Sequence, residues 1–220
     1  RDVAPSRGLG DVYKRQSGTF DNQAAQDAAS TLQDWNNKGY MPEGVNAVDA
    51  STALSRFCNG EGLFFPSGNW NLDTVAKALG DDVQFFAFPG ATSEDEPNVA
   101  ANAGAFYGIP VNAKNRDAAA AFLDYTQSAE AQQIIVDNSG YLPKSSTSDL
   151  KANSALQQSM FDAYADVLMS GHTSDFINNA TAGMQSSGLI PNFQLLLDNS
   201  ITPQEFTKNV QAQYDKEAKQ

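Results

Sequence analysis

Apolar residues recur at helical spacing along much of the chain. Between Asp21, a good N-cap, and Gly39, which ends the pattern, Ala24, Ala28 and Leu32 stand four positions apart. The same signs predict further helices that start near Asp49, Asn115 or Asp117, Ser128 and Thr202, and one that carries the stripe Leu156, Met160, Tyr164 and Leu168. Much of the chain is therefore predicted to be helical.

Three short apolar runs between turn residues predict strands. They are Leu63–Phe65, Val83–Phe88, which Pro89 ends, and a segment around Ala105–Pro110. Of these, Leu63–Phe65 has the pattern of an interior strand.

The first strand leads directly into a helix. The chain breaks at Pro66-Ser67-Gly68 and continues as a predicted helix through Val75 that ends near Gly80. Trp70 stands at the start of this helix, where free backbone N–H groups and a flat apolar indole could both meet a ligand. The alternative is that Trp70 is a core residue beneath a turn, and its chemistry alone leaves both interpretations open.

The net charge of the chain argues against some classes of binding partner. The 220 residues carry a formal net charge of -12, with a sequence pI of about 4.3. Nucleic acids and anionic membrane surfaces require clustered Lys and Arg, so the balance argues against both, and a neutral ligand fits better. Cys58 is the single cysteine and is interpreted as a small buried hydrophobe.

The candidate catalytic groups do not form a recognisable site. Glu94-Asp95-Glu96 is interpreted as a solvated loop, because adjacent loop carboxylates do not face each other across a substrate. His172 is the only histidine and is interpreted as a surface residue. The sequence therefore predicts no catalytic residues, no metal site and no cofactor.

The first residues are interpreted separately. Residues 6–16 resemble a translated sequencing adapter, in which the transposase end reads Asp-Val-Tyr-Lys-Arg-Gln. Residues 1–16 are accordingly assigned to no domain, and the authentic sequence is expected to start at Ser17 with a signal segment and further residues missing before it.

Short motifs in a fixed order resemble one protein family. They include Gly18-Thr19-Phe20-Asp21, Phe57-Cys58-Asn59-Gly60, Gly68-Asn69-Trp70, Gly108-Ile109-Pro110 and Gly140-Tyr141-Leu142-Pro143. In this order the chain resembles the extracellular solute-binding proteins of ABC importers, of the carbohydrate-binding, maltose-binding-protein-like type. The resemblance covers nearly all residues after Ser17.

The resemblance implies a periplasmic-binding-protein-like (type II) α/β fold with two lobes, here truncated at the N-terminus and rich in helix. Residues 17–104 and 145–220 would form the C-terminal lobe, and residues 105–144 would cross the hinge and complete the N-terminal lobe. It also implies an extracytoplasmic monomer, periplasmic or anchored as a lipoprotein, that passes a sugar or oligosaccharide to a membrane permease.

The same resemblance implies a set of ligand-binding residues. Trp70 would stack on a sugar ring, Asn69 and the backbone beyond Gly68 would bind its hydroxyl groups, and Phe106 and Tyr107 would line the cleft near the hinge. Two alternatives stay open, namely a carbohydrate-active enzyme and an adhesion module that binds glycans without transport.

Overall fold

The computed structural model describes residues 19–90, 99–100, 107–141, 150–170 and 173–218. The α-helices in these ranges are α1 Gln23–Asn37, α2 Ala50–Cys58, α3 Leu72–Leu79, α4 Arg116–Thr126, α5 Ala129–Ser139, α6 Ala155–Ser170, α7 Ile190–Leu197 and α8 Pro203–Glu217. Short 3-10 turns cover Val45–Ala47, Asn69–Asn71, Gly80–Asp82 and Ile177–Asn179, and a π-helix covers Met184–Leu189. The prediction of a helix-rich chain is confirmed.

Capping residues set most helix boundaries where the sequence predicts them. Asp49 accepts a hydrogen bond from the backbone N–H of Thr52 at 2.7 Å and starts α2, and the Ser128 hydroxyl accepts one from Ala131 at 3.2 Å at the start of α5. The predicted cap of α1 is wrong by one residue. Asn22 caps this helix by accepting from Ala25 at 3.0 Å, because the carboxylate of Asp21 is engaged by the hydroxyl of Thr207 at 2.7 Å.

The predicted strands are the main error. The described residues form one parallel pair, β1 Val99–Ala100 with β2 Thr173–Ser174, in a register that joins Val99 to Thr173. Leu63–Phe65 and Val83–Phe88 have no ladder in the described ranges, and neither do residues 107–110; the rest of the third predicted strand lies outside these ranges.

The physical reason is that a strand needs a hydrogen-bonding neighbour as well as the right composition. Residues 83–88 alternate between partly buried and exposed, as a strand would, and the Phe85 N–H donates to the hydroxyl of Ser159 at 2.9 Å instead of to a neighbouring strand. Leu63–Phe65 is not a buried strand, because Leu63 and Phe64 are 89% and 73% exposed.

The chain groups into two compact units. Unit 1 is drawn from Arg1–Val48, Ala87–Asn102 and Val167–Gln220, and unit 2 from Asp49–Phe86 and Ala103–Asp166. These units are groups of residues in mutual contact, and the lobe boundaries at residues 104 and 145 stay a prediction.

Unit 1 is built around the last helix, α8. Phe206 on α8 is 2% exposed and packs against Phe20 and Phe193, with ring centroids 6.1 and 4.8 Å apart. Side chains of α1 fix the end of α7: Gln33 donates to the Leu196 carbonyl at 2.8 Å, and Asn36 donates to that of Leu197 at 2.9 Å. The apolar core of this unit therefore joins α1, α7, α8 and the π-helix.

Unit 2 has its own core, in which α3 packs against α6. Its buried residues are Leu72, Val75, Leu156 and Met160. Partly buried aromatic residues extend this cluster, and Phe57 stacks on Phe65 with a centroid distance of 5.3 Å. The residues at the start of α3 are thus anchored on one side by an apolar core.

The start of α8 provides a test of pH dependence. The Glu205 carboxylate accepts from the Thr202 backbone N–H at 2.8 Å and from its hydroxyl at 2.9 Å, which completes a capping box. The backbone hydrogen bond is the main reason that the pKa of Glu205 lies below the usual 4.5. The stabilisation is therefore present above this value and is lost as the pH falls through the lowered pKa of the folded state.

We expect the variant Glu205→Gln, which keeps a hydrogen-bond acceptor but does not titrate, to lose less stability on acidification than the original chain. Urea unfolding at neutral pH and at about pH 3 measures the difference. Equal losses in the two proteins would contradict this role for Glu205.

Candidate functional site

The candidate site is the turn that precedes α3. Gly68 is extended, with φ -131° and ψ 178°, and the chain then turns through Asn69–Asn71 into the helix. The backbone N–H of Asn71 donates to the Gly68 carbonyl at 3.2 Å, and that of Leu72 donates to the carbonyl of Asn69. The break and restart predicted at Pro66-Ser67-Gly68 is confirmed as an extended segment followed by a 3-10 turn.

A side-chain hydrogen bond closes this turn. The Asn71 amide donates to the hydroxyl of Ser67 at 2.8 Å, four residues earlier. The sequence interpretation does not single out Asn71. The Ser-x-x-x-Asn spacing was available in the sequence, but this pair is recognisable only once the turn geometry is known.

The indole of Trp70 folds back over Gly68. A Cβ atom placed on Gly68 would lie 2.7 Å from Cε3 of Trp70 and closer still to the two ring carbons beyond it. Such a contact is too short for any side chain, so the ring can occupy this position only because residue 68 is glycine. Trp70 remains 52% exposed, which answers the question that the sequence left open: it is not a fully buried core residue.

This packing gives a direct prediction for Gly68→Ala. The added methyl group would collide with the indole, so we expect the fluorescence maximum of Trp70 to shift, measured in the Trp35→Phe background where Trp70 is the only tryptophan. Gly108→Ala is the matched control, because a Cβ there has no atom within 4 Å. Equal spectra for the two variants would contradict the close packing.

Charge near the turn lies on the outer face of α3. Asp73 is in the first turn of the helix, where its charge is favourable, and it pairs with Lys77 one turn later at 2.7 Å. This pair is exposed and contributes little to stability. The face offered by the turn is accordingly an aromatic ring beside amide groups, which suits an uncharged polar ligand.

The structure places three of the five predicted residues together. Gly68, Asn69 and Trp70 form one turn, in which Asn69 is partly buried. Tyr107 is 59% exposed, and Phe106 lies outside the described residues. The contribution of Phe106 and Tyr107 to the same cleft stays a prediction.

An open surface cavity lies elsewhere, in unit 1. Its volume is about 410 Å³, and it is lined by Asn36, Gly39, Met41, Pro42, Glu43, Gly44, Val45, Asn46, Leu197 and Asp198. Asn46 spans part of its wall by donating to Asp198 at 2.8 Å and to the Gln194 carbonyl at 3.0 Å. The cavity contains none of the predicted ligand-binding residues.

The described ranges contain neither a metal-ligand cluster nor a membrane-spanning helix. No group of three or more His, Cys, Asp or Glu side chains is close enough there to hold a metal ion. The helices there are too short or too polar to cross a bilayer.

A known protein shares the fold of this chain. The chain is similar in structure to a chitin oligosaccharide binding protein, with a TM-score of 0.75 and 19% sequence identity. The similarity covers 97% of this chain and 54% of that one, so the chain spans about half the length of this relative. The predicted solute-binding-protein fold is confirmed, and no curated protein sequence matches the chain.

A family model identifies the same class from sequence. The model for bacterial extracellular solute-binding proteins matches residues 8–161. The match begins within residues 6–16, and the interpretation of that segment as a translated adapter stays a prediction. Because the match spans well over half of the 220 residues, the chain belongs to the family of bacterial extracellular solute-binding proteins.

Proposed function

We propose that this chain belongs to the substrate-binding component of an ABC importer, which captures a sugar or oligosaccharide outside the cytoplasmic membrane and delivers it to the permease. The observation that carries the proposal is the half-exposed indole of Trp70, held over Gly68 at the start of α3 in a member of a solute-binding family.

The chemistry of this turn suits a sugar. One face of a pyranose ring is mainly C–H surface, and covering it with an indole removes apolar area from water. Asn69, beside Trp70, has an amide that can donate to and accept from the hydroxyl groups at the rim of the ring. An apolar platform with a few polar groups at its edge is the usual design of a small-molecule site.

The charge of the chain and its structural relative support the same ligand class. A net charge of -12 opposes anionic solutes, whereas neutral oligosaccharides carry no such penalty. The structural relative is a protein that binds chitin oligosaccharide. We propose a neutral oligosaccharide as the ligand of this chain as well.

The rest of the binding cleft is proposed to come from residues outside this sequence, since the chain spans 54% of its structural relative. Residues 17–104 and 145–220 would supply one lobe, and Phe106 and Tyr107, at the start of the segment 105–144, would line the cleft near the hinge. Closure of two lobes around a ligand shifts an existing equilibrium between open and closed forms, and the permease would recognise the closed form. The protein would act as a monomer without catalysis.

The proposal is tested by calorimetric titration of the complete protein, produced with the coding sequence upstream of Ser17. The probes are chito-, malto-, cello- and xylo-oligosaccharides, and each is recovered afterwards and analysed by chromatography. We expect saturable binding of at least one probe, with every probe recovered intact. Failure to bind any probe would overturn the sugar assignment, and shortened products would favour the enzyme alternative.

Transport is tested separately from binding. The proposal predicts genes for permease subunits beside the gene of this protein, and loss of uptake of the bound oligosaccharide when this gene is deleted. Normal uptake in the deletion strain would favour the adhesion alternative.

A further inference from the structure

We propose that Gly140 is a positioning residue for Trp70, a role that rests on the proposed function of Trp70 as a sugar contact. Gly140 lies seventy residues further along the chain, and it packs against the first residues of α3 in the same unit. It would set the position of the indole through the backbone of the turn, without touching the ligand.

The contact is short and involves atoms that cannot move freely. A Cβ atom on Gly140 would lie 2.9 Å from Cβ of Leu72, 3.2 Å from its Cδ2 and 3.3 Å from the backbone nitrogen of Asp73. Real Cβ atoms essentially never approach a heavy atom of a residue that is not their neighbour in the chain to within 3.0 Å. Since Cβ of Leu72 is fixed to the backbone, a side chain at position 140 would have to displace the start of α3 itself.

A displacement of Leu72 would also displace the turn that contains Trp70. The Leu72 N–H donates to the carbonyl of Asn69, and this hydrogen bond closes the turn Asn69–Asn71. Leu72 is also 5% exposed and packs in the core of unit 2, so it cannot simply swing toward solvent. A shift of the Leu72 backbone would therefore carry the turn with it.

Hydrogen bonds hold the C-terminal end of α5, the helix that Gly140 follows. Gln157 is fully buried, donates to the Val136 carbonyl at 2.8 Å and accepts from the Asn153 N–H at 2.8 Å. Asn153 in turn donates to the carbonyl of Asp137 at 2.8 Å. These bonds fix the last turn of α5, so strain introduced at Gly140 would be relieved at α3 and not at α5.

The backbone of Gly140 gives a second reason for glycine. It ends α5 in the left-handed region, with φ 68° and ψ 2°. This conformation is common for glycine after a helix and costs about 1 kcal/mol for most other residues. A valid test must therefore separate this general cost from the specific contact with Leu72.

Gly60 is the matched control. It lies just after α2, in the same unit, and it also has a positive φ of 84°, but a Cβ there has no atom within 4 Å. Gly140→Ala and Gly60→Ala thus share the backbone cost, and only Gly140→Ala adds the collision. Both are made in the Trp35→Phe background, which leaves Trp70 as the only tryptophan.

The first measurement is the indole N–H signal of Trp70 in a ¹H–¹⁵N correlation spectrum of the 220-residue chain. We expect Gly140→Ala to shift this signal by several linewidths and Gly60→Ala to shift it by less than one. If Gly140→Ala does not fold, Gly140→Asn replaces it, because asparagine tolerates positive φ while carrying the same Cβ. Equal shifts for the two positions would overturn the proposal.

The second measurement is a double-mutant cycle in the complete protein, with the oligosaccharide that binds most tightly in the titration described above as the probe. We expect Gly140→Ala to weaken binding several-fold when Trp70 is present and to have no further effect when Trp70 is alanine. Equal weakening in both backgrounds would overturn positioning through Trp70. A shifted indole signal without any oligosaccharide binding would instead refute the proposed function and leave the structural coupling of Gly140 to Trp70 standing.

Discussion

Trp70→Ala is expected to weaken oligosaccharide binding by roughly tenfold to a hundredfold while the protein stays folded. Covering a sugar face with an aromatic ring contributes about 1.5–3 kcal/mol, and each 1.4 kcal/mol changes the dissociation constant about tenfold. The ring is 52% exposed, so its removal takes little buried area from the core. Calorimetric titration measures the affinity, and thermal unfolding checks the fold.

Two control variants make this result specific. Trp70→Phe keeps an aromatic face and should retain part of the affinity. Tyr40→Ala removes an aromatic side chain that is 73% exposed and lies outside the candidate site, and it should bind as the original protein does. Unchanged affinity in Trp70→Ala would rule out the stacking role.

The second large effect concerns stability. Phe206→Ala is expected to lower the free energy of unfolding by about 3–5 kcal/mol, because it removes a large buried side chain and leaves a cavity. Phe206 is 2% exposed and contacts Phe20 from the start of the described chain and Phe193 from α7. Urea unfolding of the 220-residue chain measures the loss.

Phe122→Ala is the control for this prediction. Phe122 on α4 is 62% exposed, so its replacement should change the free energy of unfolding by no more than about 0.5 kcal/mol. Similar losses for Phe206→Ala and Phe122→Ala would contradict the core described for unit 1.

Local signals in the sequence were sufficient for several helix starts. Asp49, Ser128 and Thr202 cap their helices as predicted, because a cap depends on residues within one turn of it. The one shifted cap, at Asn22, arises from a contact that no local pattern reveals, the hydrogen bond between Asp21 and Thr207. These two residues are far apart in the sequence.

The strands could not be predicted in the same way. Val83–Phe88 has the composition and the alternation of a strand, but pairing depends on a partner elsewhere in the chain, and its backbone bonds to the Ser159 side chain instead. Conversely, β1 and β2 are each two residues long and have no apolar run to mark them. Pairing over such distances is a property of the tertiary structure.

The candidate site was predictable in part. The motif Gly68-Asn69-Trp70 identified the turn, and the ligand-binding role that the resemblance to a family implies for it stays a prediction. The contact of Gly140 with Leu72 could not be foreseen, because it joins two segments that only the fold brings together. The sequence shows a glycine after a helix, which predicts a helix end and nothing about a neighbouring turn.

The indole of Trp70 is proposed to contact the sugar, and the two tryptophans of the chain allow a direct test. Trp35 is partly buried and lies 6.2 Å from the ring of Phe88, away from the candidate turn in sequence. Two variants of the complete protein are prepared, Trp35→Phe, which keeps Trp70, and Trp70→Phe, which keeps Trp35. Both are labelled with 5-fluorotryptophan and titrated with chito-, malto-, cello- and xylo-oligosaccharides. We expect the Trp70 fluorine signal, identified by its loss in Trp70→Phe, to shift saturably with the sugar that binds. The Trp35 signal, identified by its loss in Trp35→Phe, should not shift. Saturable binding that leaves the Trp70 signal unmoved would contradict a contact between the indole and the sugar.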